Sequence, residues 1–288
     1  MNPGRYDIFE SGSDHGVLLA HGITGAPTEM KPLVRKLAAA GFTVSCPALA
    51  GHCSTLRELK QTRWTDWYET LEAALETLRT RCSTVFVSGL SMGALLALKL
   101  AADHPELVAG VATLSATFFY DGWNVPRFRQ RYLLPIAVYS PLRYVYSWHE
   151  PAPYGIKDER LRNIIAGVYA GDATQMPQKY GYSEFPGVTI YETFRLIRAV
   201  KRGLRSVTAP LLIVHATEDD MATLENAHFL ASRVGSTDVD TYYVDDTYHV
   251  LTLDRRKHDV AHRVTEFFLG RATSDVAAFP EAVLANDR

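Results

Sequence analysis

The order of apolar segments predicts an α/β domain: a mostly parallel sheet with helices on both faces, interrupted by one inserted cap. Three observations carry this. Short β-branched runs alternate with amphipathic helical stretches, the pattern of a sheet covered on both sides. That alternation stops near Phe118 and resumes only after Pro210. The 288 residues are 47% apolar and 22% charged, enough to bury one large core without staples.

In chain order, residues 17–20 read as a buried strand that ends at His21 and Gly22. Met30, Leu33, Leu37 and Ala40 recur at helical spacing over 29–40, and Gly41 ends that helix. Residues 42–46 form the next strand, stopped by Pro47. Thr65 and Asp66 are candidate caps for a helix with Leu71, Leu75 and Leu78 on one face. A strand over 85–88, an apolar helix over 92–102 and a strand over 108–115 follow. From Phe118 to Lys201 the chain is rich in Tyr, Trp, Pro and Arg, and regular alternation is lost. It returns as a strand over 211–215, a helix over 224–234, a strand over 239–244 and a closing helix over 256–269. The expected organisation is a core over 1–117 and 206–270, a cap over 118–205 and a flexible tail over 271–288. Insertions at the strand ends of such sheets tend to cover the ligand crevice.

Composition excludes several function classes. A formal charge of -2 and the lack of a basic stripe argue against a nucleic acid partner. The arginines at 127, 129 and 131 read as a short solvated run. Cys46, Cys53 and Cys82 are odd in number and form no C-x-x-C, which suits reduced thiols in a cytoplasmic protein. The first residues carry no apolar signal-peptide core, and no stretch is long and apolar enough for a membrane span. No H-E-x-x-H or clustered ligand spacing is present, so neither metal nor cofactor is expected.

The chemistry concentrates at Gly89-Leu90-Ser91-Met92-Gly93, a G-x-S-x-G match set directly between a β-branched strand and an apolar helix. That turn forces the serine into a strained conformation and lifts its hydroxyl clear of the sheet. The helix starting at Met92 aims its free amides at any oxyanion formed there. A serine needs a base, and the chain order for this arrangement is serine, acid, histidine. His249 falls after the last strand and before the last helix, where the base belongs. The acid belongs in the loop after 211–215, where Glu218, Asp219 and Asp220 compete; periodicity does not choose among them. The loop His21-Gly22-Ile23-Thr24-Gly25 can offer the Ile23 amide opposite that of Met92 as an oxyanion hole, with His21 bracing it. His215 reads as a packing residue.

Taken together, Leu18 to Gly25, Gly51-His52, Gly89 to Gly93, Glu218-Asp219-Asp220-Met221 and Tyr248 to Asp254 resemble the bacterial carboxylesterase and monoacylglycerol lipase group of α/β hydrolases. The match runs from about Val17 to Leu269 and is poorest in the cap. The resemblance implies the α/β-hydrolase fold, puts the acid on Asp219 and the base on His249, and implies a small-molecule ester as substrate. Two departures stand out: Cys53 replaces the Gly of a G-H-G element, and Tyr248 replaces the Gly before the base. They bear on acyl-chain preference. Trp123, Tyr132 and Val250 are candidate substrate contacts, and an aromatic cap favours apolar short- to medium-chain acyl groups. Monoacylglycerol lipase, lysophospholipase and thioesterase activities share this scaffold, and a non-catalytic binding protein is the alternative from another class. No stable membrane association is expected.

Overall fold

The computed structural model describes residues 4–124, 128, 132–170 and 181–272. Seven strands build the main sheet: β1 (Ile8–Glu10), β2 (His15–Ala20), β3 (Thr43–Cys46), β4 (Thr84–Leu90), β5 (Gly110–Leu114), β8 (Leu211–Ala216) and β9 (Val239–Val244). Their order across the sheet is β1-β3-β2-β4-β5-β8-β9. All neighbours are parallel except β1, which pairs antiparallel with β3. The sheet is thus the mostly parallel one that the alternation predicts.

Period-two geometry sorts the strand residues into two cores. Leu18, Ala20, Val85, Val87, Val111, Leu211 and Ile213 face one layer. Helices Trp64–Arg79, Met92–Asp103 and Gly187–Gly203 cover that layer. Val17, Leu19, Phe86, Leu90, Ala112, Leu114, Leu212 and Val214 face the other, under helices Lys31–Ala39 and Lys257–Leu269. Each fully buried Leu, Val or Phe contributes roughly 1.5–3 kcal/mol by leaving water, which is why these runs are so uniformly apolar.

Three local differences from the sequence reading have simple causes. The edge strand β1 was not expected; at three residues, mostly exposed, it carries too little apolar alternation to read. The helix assigned to Thr65 and Asp66 begins at Trp64, and Asp66 sits in its first turn, where its carboxylate accepts the Arg63 amide at 2.8 Å. The helix over 29–40 is split, with a 3₁₀ turn at Pro27–Met30 before Lys31–Ala39. Of the expected tail, residues 273–288 lie outside the described residues, as do the arginines at 127, 129 and 131.

Between β5 and β8, β6 (Ser147–His149) and β7 (Glu184–Pro186) pair antiparallel, and helices Leu134–Tyr139 and Glu159–Ala170 lie in the same stretch of chain. The helix Gly187–Gly203 sits differently: its Leu196, Ile197 and Val200 are buried in the core, packed with the helix that follows Ser91. The core's apolar layer therefore reaches back into the segment between residues 118 and 205. Among the described residues no helix is long and apolar enough to cross a membrane.

β2 has β3 on one side and β4 on the other, and the chain leaves their carboxyl ends in opposite directions. Such a switch point opens a crevice, and the loops after β2 and β4 both empty into it.

Candidate active site

Ser91 stands between β4 and its helix with φ 55° and ψ -114°, a backbone region that a side chain normally avoids. Its surroundings hold it there. The Ser91 amide donates to the Leu114 carbonyl at 2.8 Å. A methyl group on Gly89 would collide with the Gly93 carbonyl, and one on Gly93 with the Ala20 carbonyl. The motif's two glycines are thus required by close backbone approach, which seats the helix against the end of β2.

Three side chains from distant segments meet at this turn. Ser91 Oγ lies 2.9 Å from His249 Nε2, and His249 Nδ1 lies 2.8 Å from Asp219 Oδ2. All three are buried. Asp219 Oδ1 also accepts the Met221 and Ala222 amides at 2.9 and 2.8 Å. Burial works against charge on His249, but the Asp219 carboxylate outweighs it and holds the imidazole up at about 8. Burial likewise opposes ionisation of Asp219; its histidine neighbour and the amides win, and the carboxyl stays below the usual range. Thr117 Oγ1 is 3.3 Å from Ser91 Oγ, a neighbour the sequence did not point to.

The competing carboxylates have other partners. Glu218 is exposed and paired with Lys157. Asp220 is fully buried, yet it faces the backbone: its oxygens accept the Gly155 amide at 3.2 Å and the His249 amide at 3.4 Å. Asp220 thereby ties Gly155, in the segment between β5 and β8, to the loop that carries His249. Asp254 holds the same loop from below, accepting the Tyr248 amide at 2.8 Å and the Thr247 hydroxyl at 3.0 Å. His215 is buried behind Asp219, with Nε2 donating to the Ala222 carbonyl at 2.7 Å.

The loop after β2 flanks Ser91. A Cβ on Gly22 would stand 3.8 Å from that of Ser91. His21 Nε2 accepts the Leu49 amide at 3.1 Å, so its proton is on Nδ1, which donates to the Gly22 carbonyl at 3.0 Å. Burial drives the imidazole down to about 4, so it braces the loop as a neutral ring. Ile23 follows in this loop, and Met92 is the first residue of the helix, where amides have no acceptor within the helix.

Two cavities of about 490 and 480 Å³ adjoin here and share Ile23, Tyr120, Glu150, Phe185 and Met221 as wall. The first is almost wholly apolar, lined by Leu133, Ile136, Leu142 and Ile190. Ser91, His249 and Val250 line the second. Trp123 and Tyr132 line neither. The Trp123 indole donates to the Glu218 carbonyl at 3.3 Å, and Tyr132 packs on Phe128 at the surface. Sequence could put these aromatics in the segment between β5 and β8 but not on one of its faces.

Two carboxyls in these walls escaped the sequence reading. Burial pushes Glu150 up to about 8, with Asp220 adding to the effect and His249 opposing it. Burial pushes Glu29 up to about 7, against the Gly22 amide and His249. Neither lies in a motif; only the tertiary fold brings them to the crevice. Among the described residues no group of three or more His, Cys, Asp or Glu is arranged to hold a metal.

A parallel sheet with this strand order, a strained serine turn and loops converging at its switch point make the chain an α/β hydrolase. It belongs to the family described as serine aminopeptidase, S33, whose model matches residues 12–256. It is 29% identical over 277 residues to a thermostable monoacylglycerol lipase of Bacillus sp. (strain H-257), spanning 93% of this chain and 96% of that protein. It is 25% identical over 257 residues to a carboxylesterase of Bacillus subtilis (strain 168), spanning 89% and 93%. A solved structure reported for LipS and LipT, two metagenome-derived lipolytic enzymes, aligns with a TM-score of 0.78 at 28% identity, covering 93% of this chain and 98% of that one. These relatives lie in the group to which the sequence motifs point.

Proposed function

We propose that this chain hydrolyses carboxylic esters, with Ser91 as nucleophile, His249 as general base and Asp219 as the acid that orients it. The observation carrying this reading is the unbroken run of hydrogen bonds from Ser91 Oγ through His249 to Asp219. His249 Nε2 takes the hydroxyl proton as Oγ attacks the ester carbonyl carbon. The carbonyl oxygen becomes an oxyanion, received by the Ile23 and Met92 amides. The intermediate collapses, the proton on Nε2 passes to the departing alkoxide, and an acyl-enzyme remains. Water repeats the sequence in reverse roles, freeing the carboxylic acid and Ser91. Asp219 stays ionised throughout and stabilises the imidazolium.

The apolar cavity suits a short- to medium-chain acyl group. A second reading, monoacylglycerol hydrolysis, draws on Glu150: a carboxyl at the junction of the two cavities can hydrogen-bond a hydroxyl that an alkyl ester lacks. The partner is a small-molecule ester. Three buried, unpaired cysteines support a cytoplasmic setting.

The test is titration with a fluorophosphonate, location of the label by mass spectrometry, and a panel of p-nitrophenyl esters of rising acyl length. A monoacylglycerol and an aminoacyl p-nitroanilide complete the panel. One label per chain on Ser91, with ester turnover that Ser91→Ala abolishes, is the expected result. Anilide cleavage exceeding ester cleavage would replace esterase with peptidase, and no label on Ser91 would remove it as the nucleophile.

A further inference from the structure

The oxyanion hole proposed above depends on where one amide points, and the loop that carries it has no regular secondary structure to fix it. Two successive peptide groups decide the direction of the Ile23 N–H. The Gly22–Ile23 group is planar, so its N–H points opposite its carbonyl. That carbonyl accepts His21 Nδ1–H at 3.0 Å and the Gly25 amide at 3.2 Å. The preceding group, His21–Gly22, is held by its own N–H, which donates to Glu29 Oε1. Release of that amide leaves the Gly22–Ile23 group held through its carbonyl alone, which widens the range over which the Ile23 N–H can tilt.

Glu29 is seated for this task. It comes from the 3₁₀ turn Pro27–Met30, directly after the loop, so its side chain folds back across the residues it holds. Its carboxyl lies over Gly25, where any Cβ would collide with it. It also lines the cavity containing Ser91 and His249. Cys46, Cys53, Glu150 and His249 are titratable groups that interact with it, and Lys31, Tyr154 and Tyr182 line the same cavity. Burial raises this carboxyl to about 7, so it is ionised over the range in which His249 is neutral, and the Gly22 amide then has a carboxylate oxygen as its acceptor.

We propose that Glu29 is a positioning residue for the oxyanion hole, acting through the Gly22 amide to aim the Ile23 N–H at the reacting oxygen. The proposal rests on the hydrolase reading above. It requires an acceptor at Oε1 and does not require a negative charge. Glu29→Gln keeps the acceptor, Glu29→Leu removes it at similar volume, and Glu29→Asp withdraws it by one methylene.

Steady-state kinetics on a p-nitrophenyl ester and hydrogen exchange of the segment 20–26 test this together. A misplaced oxyanion donor weakens the transition state more than substrate binding, so kcat falls and KM holds. Glu29→Leu should lower kcat about 10–100-fold with KM within about threefold, and should speed exchange of the Gly22 amide about tenfold or more. Glu29→Gln should restore most of both, and Glu29→Asp should fall between and still fold if the leucine variant does not. Undiminished kcat in the leucine or aspartate variant, or a loss in KM alone, overturns the proposal while ester turnover by the parent chain stands. A parent chain with neither label on Ser91 nor turnover overturns the hydrolase reading, and this proposal falls with it.

Discussion

Replacing Asp219 with Asn tests the electrostatics of the site more sharply than deleting any side chain. His249 titrates at about 8, so at pH 7 only about a tenth of the molecules hold the neutral base, and kcat/KM should rise about tenfold from pH 7 to a plateau above pH 9. The sign follows from the role: activity is present above the folded pKa and lost as pH falls through it. Asp219 is the strongest influence raising that pKa, and burial is the force it overcomes. Asn removes the charge and leaves the burial. The acidic limb of the profile should therefore move down by about one pH unit or more, equivalent to about 1.4 kcal/mol of lost imidazolium stabilisation. The plateau should drop on the order of 10³- to 10⁴-fold, because Asn no longer enforces the Nδ1–H tautomer or stabilises the cation in the transition state. The assay is kcat/KM on a p-nitrophenyl ester from pH 5 to 10 for both proteins. A limb that stays at 8 in Asp219→Asn, or a plateau within tenfold of the parent, would refute this account of the site.

Three further substitutions probe the frame. Gly93→Ala drives a methyl into the Ala20 carbonyl, so it should cost about 2–3 kcal/mol in urea unfolding and abolish fluorophosphonate labelling; a variant of parental stability would mean the elbow is loosely packed. Cys53 holds φ at 56°, so Cys53→Gly should be more stable than Cys53→Ala by about 1 kcal/mol, reversing the usual rank of these residues; an alanine variant that melts higher would deny the strain. Glu150 has a folded pKa above its ordinary value, so the stability it confers is complete below about 4.5 and lost as pH rises through 8. Glu150→Gln cannot ionise; it should melt above the parent at pH 9, by about 2–4 °C per kcal/mol, and level with it at pH 5. An equal gap at both pH values would show that ionisation of Glu150 does not set it.

What could be read from the chain alone follows the range of the interactions involved. Ser91 was legible because strand, turn and helix are contiguous around it, and His249 because its place between the last strand and last helix is local as well. Asp219 needed more: three adjacent carboxylates look alike in sequence, and the difference lies in which partner each one faces. Asp220 meets the backbone amides of Gly155 and His249, Glu218 meets Lys157, and Asp219 meets the imidazole. Glu29 and Glu150 were invisible, since a carboxyl becomes unusual only when the fold buries it. The helix Gly187–Gly203 reads as part of an irregular insertion because aromatic and proline-rich neighbours obscure its apolar face.

Ser91 and His249, the proposed nucleophile and base, are 158 residues apart in the chain, and His249 and Asp219 are 30 apart. Ser91 belongs to the part of the sheet that the first 114 residues complete, whereas Asp219 and His249 arrive with β8 and β9, added at its far edge. Closing so long a loop carries an entropic cost that the contacts at its ends must offset. A chain that has built only its first five strands would hold a bent serine turn with no base to arm it. Ester turnover by this chain thus requires that the segment carrying β8 and β9 has joined the sheet, and a chain that stops before Leu211 should show none.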